Sequence, residues 1–472
     1  MPLRPTIPLP GGAALMPARP TIPLPHGAAL AVLAAVVLTL LISVGLIELP
    51  VLLHTQGRIL FPLDGAFLNI SVGRNLAFYQ VWGISKHSFQ SASSSLLYPL
   101  VLAPVFFIAG AHLLIPLIVN LLAAVFFLYR LQQTLLRRNL TPPQQLLILL
   151  AAMAFTLLPL LVVSGMEYVL QLLFVFLFIE ALAAALKDDG PITRQQDHPI
   201  TREDDHPLTR RIYLYAALAV AARYEDVLII GLACLFLDRQ KALKLAAVSL
   251  APILIFGVIS ILKKSYFLPN TLLLGPYPGY ALGLATLTLF AIAISIPKFK
   301  RIELLLLLLL PFSVRNGQSL QHFRRDCDRM YDQQYLTARF VHLYYYRSAV
   351  GVDEPGAISW FSEGRKLDFT GVANRDVIRS KRMHYWSPVY ADSLSRLDGI
   401  RAAIVADPWF NAHRVPKWDR VASWNIPDSG PAPGPSKTVT FYAVDEWDTT
   451  NLRRNLHAYE HLLPAGVAVR YY

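Results

Sequence analysis

Phe61-Pro62-Leu63-Asp64-Gly65-Ala66-Phe67 sets a lone acid among apolar residues, shortly beyond the first long apolar run, which ends near Leu53. Arg74 follows, then a Ser-Ala-Ser-Ser-Ser stretch at 91–95. Ionisable groups at membrane depth or at its edge are functional hypotheses by default. A carboxylate held at a membrane surface beside a basic residue suits chemistry on a lipid-linked, phosphate-bearing substrate. The bland alternative is an ordinary loop aspartate.

Composition places this stretch in a membrane protein. The chain is 54% hydrophobic and 16% charged, whereas soluble domains carry about 25% charged residues. A span across a hydrocarbon core of about 30 Å needs about 17–25 apolar residues. Strong runs occupy 28–53, 113–129, 146–163, 169–186, 246–262 and 279–296, and weaker ones 96–112, 212–237 and 302–314. The first run is too long for a removed signal peptide, and no small-residue cleavage site follows it, so it reads as an uncleaved span.

The net charge of +12 is distributed by loop and is not a nucleic-acid signal. Arg4 and Arg19 precede the first span. Arg130, Arg137 and Arg138 lie between 113–129 and 146–163. Arg194, Arg202, Arg210 and Arg211 fall in the loop 187–211, and Arg239, Lys241, Lys244, Lys298, Lys300 and Arg301 come later. Basic loops mark the cytoplasmic side. With these inside, 54–95, the turn 164–168, 263–278 and everything after about 315 lie outside. This topology expects 96–112 to be re-entrant or superficial. It also expects 212–237 to turn back, with Arg223-Tyr224-Glu225-Asp226 at its tip.

Cys234 and Cys327 give no disulfide framework. His54, His87, His198 and His206 lack ligand-like spacing and read as loop histidines. Arg4-Pro-Thr-Ile-Pro-Leu-Pro recurs from Arg19, and Pro191-Ile-Thr-Arg recurs from Pro199. Both repeats are short, Pro-rich and polar, and read as local duplications in unfolded cytoplasmic segments. Residues 1–27 are therefore expected to be a disordered cytoplasmic N-terminus, and 28–314 a multi-pass helical membrane domain.

From 315 to 472 charges, Pro, Trp and Tyr rise. A helix is expected over 331–341 and another over 356–361, with strands at 349–352, 366–370, 401–407 and 437–444. Strands alternating with helices predict a small extracytoplasmic α/β domain, large enough to bury its own core.

Four motifs face one side in this topology. They are Asp64-Gly65-Ala66-Phe67 with Arg74, Ser164-Gly165-Met166-Glu167, Arg223-Tyr224-Glu225, and Lys263-Lys264 with Pro269-Asn270-Thr271. Each has an ordinary explanation. Glu167 could cap a helix, Arg223 and Glu225 could be a structural ion pair, and Lys263 and Lys264 could snorkel to headgroups. Together they gather candidate acids and cations on one face. Transfer from a lipid phosphate needs a base for the acceptor hydroxyl and cations for the leaving phosphate.

The order of these motifs resembles the GT-C class of integral-membrane glycosyltransferases, in the bacterial branch related to mycobacterial arabinofuranosyltransferases. The tail segments Val350-Gly-Val-Asp-Glu-Pro-Gly-Ala-Ile-Ser and Lys366-Leu-Asp-Phe-Thr-Gly-Val-Ala-Asn374 are similar to that branch's extracytoplasmic domain. The resemblance implies inverting transfer from a polyprenyl-phosphate sugar donor to a cell-envelope glycan, lipid or protein acceptor on the outer face of the bacterial inner membrane. Asp64 and Glu167 are then the expected catalytic residues. Arg74, Arg223, Glu225, Lys263, Lys264 and Asn270 are the expected groups for donor phosphate and substrate. Membrane lipids are expected partners, and nucleic acid is not. A divalent cation is the one candidate cofactor, with no ligand set assigned. The chain departs from the pattern at Gly65, where the branch carries a second Asp, and at Tyr224, where it carries Pro. Two other functions stay open: a transporter or flippase of lipid-linked sugars, or a non-catalytic scaffold that binds lipid phosphate.

Overall fold

The computed structural model describes residues 26–138, 140–188, 207–235, 237–274, 322–406, 417–426, 437–464 and 466–472. The apolar runs 279–296 and 302–314, both sequence repeats, Arg194, Arg202, Lys298, Lys300, Arg301, His198 and His206 lie outside these residues. Among the described residues, four helices are long and apolar enough to cross a membrane: α1 (His26–His54), α4 (Leu114–Leu136), α7 (Tyr168–Asp188) and α10 (Arg239–Leu262). Leu30, Leu46 and Leu53 of α1 are exposed while Val36 and Leu40 are fully buried. One face of α1 thus packs on protein and the other presents apolar surface that water would not favour.

The remaining helices are shorter. α2 (Asp64–Tyr79) follows the opening motif. α3 (Leu97–Ala109) is too short to cross alone. The run 146–163 divides, contrary to a single span, into α5 (Pro142–Phe155) and α6 (Leu158–Val163). Leu157 between them has φ +52°, and Pro159 cannot donate the backbone bond that would continue the helix. The run 212–237 breaks where the basic-loop argument put its tip. α8 (Pro207–Ala222) stops at Arg223, whose backbone is extended, and a 3₁₀ turn at Tyr224–Asp226 leads into α9 (Val227–Cys234). A single turn, α11 (Asn270–Leu273), follows α10.

The C-terminal part begins with a helix over 322–329, which passes through a π-helical turn, Met330–Tyr335, into α12 (Leu336–Tyr344). A six-stranded sheet follows, β1 (Val350–Val352), β2 (Lys366–Asp368), β3 (Ala402–Ala406), β4 (Asp419–Ile426), β5 (Lys437–Ala443) and β6 (Ala468–Tyr471), in the order β2-β1-β3-β5-β4-β6. β1 is parallel to β2 and β3, and the other pairings are antiparallel. α13 (Pro355–Phe361) connects β1 to β2. α14 (Arg375–Arg382) and α15 (Pro388–Leu397) connect β2 to β3, and α16 (Glu446–Tyr459) follows β5.

Alternation along β3 assigns the two faces. Ala402 and Ile404 pack with α12, α13 and α16, whereas Ala403 and Val405 pack with α14 and α15. The first face does not end at the sheet. Its apolar cluster runs on through Tyr335, Phe361, Phe67 and Phe61 into α4 and α7. The helical bundle and the sheet domain therefore share one core, with α2 and α13 at the junction.

Candidate functional site

Glu167 is the centre of the first constellation. It lies just before α7, at the end of the Ser164-Gly165-Met166 turn, and is fully buried. Gly165 makes the turn achievable. Its φ is +70°, and a Cβ there would stand 2.4 Å from the Phe61 ring. Asn120 fixes the turn by donating to the carbonyls of Met166 (2.9 Å) and Val162 (3.3 Å). Gly165→Ala must therefore adopt a left-handed backbone and displace Phe61. It is expected to cost about 1–3 kcal/mol of stability, read as a lowered melting temperature of the purified protein.

Three groups meet the Glu167 carboxylate. Asn69 Nδ2 of α2 donates at 2.7 Å, Ser94 Oγ at 2.8 Å and Arg223 Nη1 at 2.8 Å. Arg223 is itself only 4% exposed. Its remaining donors reach Glu225 at 2.7 and 3.1 Å, and its guanidinium lies 5.2 Å from the centre of the Tyr168 ring. Ser93 Oγ donates to Asn69 Oδ1 at 2.7 Å, which orients the amide so that its NH₂ faces Glu167. A buried carboxylate is tolerated only when paired and hydrogen-bonded, and this one has three donors from three separate segments. The motifs at 91–95, 164–167 and 223–225 thus converge on one point. Asn270 joins them at one remove, since its backbone N–H donates to Ser91 O at 3.1 Å and its side chain to Val372 O at 3.1 Å.

Asp64 and Arg74 form a second constellation. Both sit on α2, and both grip α13. Asp64 Oδ1 accepts the N–H groups of Gly356 (2.8 Å) and Ala357 (3.3 Å) at the start of α13. Arg74 donates to the carbonyls of Trp360 and Ser359 at its end, the latter at 3.0 Å, with its guanidinium 5.2 Å from the Trp360 ring centre. An acid at the N-terminus and a base at the C-terminus both complement the helix dipole. Other donors complete the end of α13: His342 Nδ1 contacts Phe361 O at 2.6 Å, and Lys366 Nζ donates to Ser362 O at 2.6 Å. Gly356 permits the close approach, because a Cβ there would lie 2.3–2.4 Å from Asp64 oxygens. Burial pushes the Asp64 carboxyl up to about 8, with the nearby Glu354 and Asp368 charges adding to the shift and the two amides opposing it.

The expected site residues therefore divide. Glu167, Arg223 and Glu225 touch one another, while Asp64 and Arg74 face the C-terminal domain through α13. Lys263 and Lys264, beyond the end of α10, are exposed, and their side chains make no hydrogen bond or ion pair among the described residues. Gly65 has room for a side chain, since its Cβ would be in ordinary contact with Met166 at 3.6 Å. No group of three or more His, Cys, Asp or Glu side chains converges among the described residues. The Asp64 oxygen nearest α13 is committed to backbone amides.

Reading the sequence alone missed several members. Asn69 sits in the stretch between Asp64 and Arg74 but has no charge to draw notice. Gly356 reads only as the first residue of a helix, and Glu354 carries no role in the sequence reading. Asp368 is fully buried and accepts from Thr370 N (2.8 Å), Thr370 Oγ1 (2.5 Å) and Ala373 N (2.7 Å), shaping the loop whose Val372 and Ala373 pack on Leu68 and Trp82. An acid followed at the second position by Thr is a local turn signal that could have found it.

Residues 322–442 match a family described as "Domain of unknown function (DUF8728)". The matched segment starts in the helix before the π turn and ends in β5, so it takes in α13 and most of the sheet. No curated protein and no solved structure matches the chain.

Proposed function

We propose that the protein is a multi-pass membrane glycosyltransferase that moves a sugar from a polyprenyl-phosphate donor to a cell-envelope acceptor at the outer face of the bacterial inner membrane. The observation that carries this reading is the convergence of segments 91–95, 164–167 and 223–225 on the buried Glu167, in a chain whose spanning-length helices fit a membrane location. In this reading Asp64 takes the proton from the acceptor hydroxyl as that oxygen attacks the anomeric carbon, and the lipid phosphate departs with the bonding electrons. Oδ1 of Asp64 is held by the amides of Gly356 and Ala357, so the proton goes to its other carboxylate oxygen. Glu167 and Arg223 hold the floor of the site, and Arg74 steers α13.

Cations for the leaving phosphate come from Lys263 and Lys264, supported by Arg382 of α14, whose guanidinium lies 5.6 Å from the Tyr266 ring centre. Replacing Lys263 and Lys264 together with Gln is expected to weaken donor binding at least about tenfold without changing expression. Unchanged affinity would leave them as snorkelling lysines.

The test of the reading is direct. Purified protein is incubated with a panel of radiolabelled polyprenyl-phosphate sugars and membrane acceptors, and transfer of label is scored. A reporter fused after Tyr472 should be active only outside the cytoplasm, and activity inside would remove the outer-face site. Two observations favour a non-catalytic scaffold as the second reading: Gly65 in place of a second acid, and the tie between Asp64 and α13. Donor binding without transfer for any sugar in the panel would select it.

A further inference from the structure

α14 carries its charge on one side. Arg375, Arg379 and Arg382 recur at the spacing of one helix face and are exposed, while Val377, Ile378 and Ser380 are buried. That face is turned toward the end of α10. Arg382 lies 5.6 Å from the centre of the Tyr266 ring, and Tyr266 comes just beyond Leu262, where α10 stops. Two further contacts hold this arrangement. Asn270 Nδ2 donates to Val372 O at 3.1 Å, tying the segment after α10 to the loop before α14. Phe267 folds back on α10 so closely that a Cβ at Gly257 would stand 2.4 Å from its ring. α10 itself presents Leu254, Ile255, Val258 and Leu262 outward, as a helix that meets lipid would.

The turn after α14 continues the surface. Met383 is 61% exposed and Val389 76%, and Tyr385 is exposed between them. Tyr385, Trp386 and Tyr390 pack together, with Tyr385 and Tyr390 edge to face at 5.1 Å. Between 375 and 385 the one acid is Asp376. Lys381 turns inward to the carbonyls of Phe369 and Thr370, so the outward charge is that of the three arginines. Lys263 and Lys264 add to it at the end of α10. Exposed apolar groups beside arginines are poorly served by water. Tyr and Trp settle at the headgroup level of a bilayer, and Lys and Arg are drawn to its anionic lipids.

We propose that α14 and the turn 383–389 dock on the membrane surface beside α10, with Arg375 and Arg379 on the phosphates of anionic phospholipids and Met383, Tyr385 and Val389 among the headgroups. The bilayer is the occupant because α10 holds the patch at its edge and the charge of the patch complements anionic lipid. The inference rests on α10 spanning a membrane and not on glycosyl transfer.

The test uses the full chain in nanodiscs of phosphatidylcholine, with or without phosphatidylglycerol. A fluorophore is placed at M383C, the parent chain treated alike is the blank, and lipids spin-labelled at the headgroup are the quenchers. A second chain, labelled at I255C and read with lipids spin-labelled on the acyl chain, reports whether α10 lies in the bilayer. Quenching at M383C is expected in the mixed discs. It should be largely lost in pure phosphatidylcholine and in high salt, which screens the arginines. R375Q/R379Q changes two exposed positions and should leave the melting temperature in place. It should weaken docking at least about tenfold, since each basic residue near an anionic surface contributes about fivefold. The proposal is overturned if I255C is quenched while M383C is not, if M383C is quenched equally in both kinds of disc, or if the variant is quenched like the parent. Blue-shifted emission at M383C without lipid quenching would also overturn it, because a second copy of the chain would then cover the patch. An unquenched I255C would remove the membrane placement and the proposal with it, so the two failures are separately visible.

Discussion

Arg223→Met should be the most destabilising single change in the bundle. It leaves the fully buried Glu167 without its cation and frees Glu225 from its partner. Breaking a buried ion pair from one side typically costs about 3–5 kcal/mol, and Met replaces the stem volume but not the charge. The expected result is a melting temperature lowered by several degrees. Glu167→Gln should cost less, because the amide can still accept from Ser94 and Arg223 keeps Glu225. In the double variant Arg223→Met with Glu167→Gln, part of the loss should return, since no uncompensated charge stays buried. Strict additivity of the two single changes would mean that the pair is not energetically coupled.

Asp64→Asn should have the largest effect on turnover if the proposed chemistry holds. The substitution keeps an oxygen for the Gly356 and Ala357 amides, so α2 and α13 stay docked, but it cannot take a proton. Loss of a general base costs about 10²–10⁴-fold in rate, with donor binding retained. Raised to about 8, the carboxyl is mostly protonated at neutral pH. Transfer should therefore climb about tenfold per pH unit below that value and level off above it. Stability should run the other way. A carboxyl whose folded value is raised contributes fully below the ordinary carboxylate range, and the contribution is lost as pH rises through about 8. Asp64→Asn, permanently neutral, should thus gain stability relative to the parent in alkaline buffer. A variant with normal turnover and no altered pH profile would remove Asp64 from the mechanism.

Much of the architecture is readable from apolar length. α1, α4, α7 and α10 coincide with long runs, and the tip at Arg223 follows from where basic loops must lie. The strands β1, β2, β3 and β5 and helix α13 also lie close to where β-branched runs and local periodicity put them. β4 and β6 were not legible. Asp419–Ile426 mixes exposed and buried positions and contains Asp, Arg and Asn, and Ala468–Tyr471 is an edge strand half open to water. The first lacks the alternation that marks a half-buried strand, and the second alternates over only four residues, too few to stand out. The division of 146–163 depends on one residue, Leu157, with a positive φ, which hydropathy cannot register.

At the site, charge was visible and pairing was not. The acids and cations of four motifs stand out on an apolar background, so Glu167, Arg223 and Glu225 could be picked by type. That Asp64 and Arg74 belong with α13, while Asn69 and Ser94 belong with Glu167, depends on contacts across 25–293 positions of sequence. Asp64 and Asn69 lie on the same helix only five positions apart, yet serve different constellations. A linear pattern does not say which side of α2 meets which neighbour.

The grip of α2 on α13 also bears on how the chain is made. Asp64 and the amide it holds, that of Gly356, are 292 positions apart. At a synthesis rate of about 5–20 residues per second, roughly 15–60 s separate their emergence from the ribosome. For that interval the side of α2 that bears Asp64 and Arg74 has been made without its partner, and Phe67 and Leu68 lack the contacts that Phe361 and Ala373 later supply. The nascent chain therefore carries an unfilled socket through most of its synthesis. Closing it so late makes this junction the slow, long-range step of folding, and it makes α2 the stretch on which a chaperone would find a place to wait.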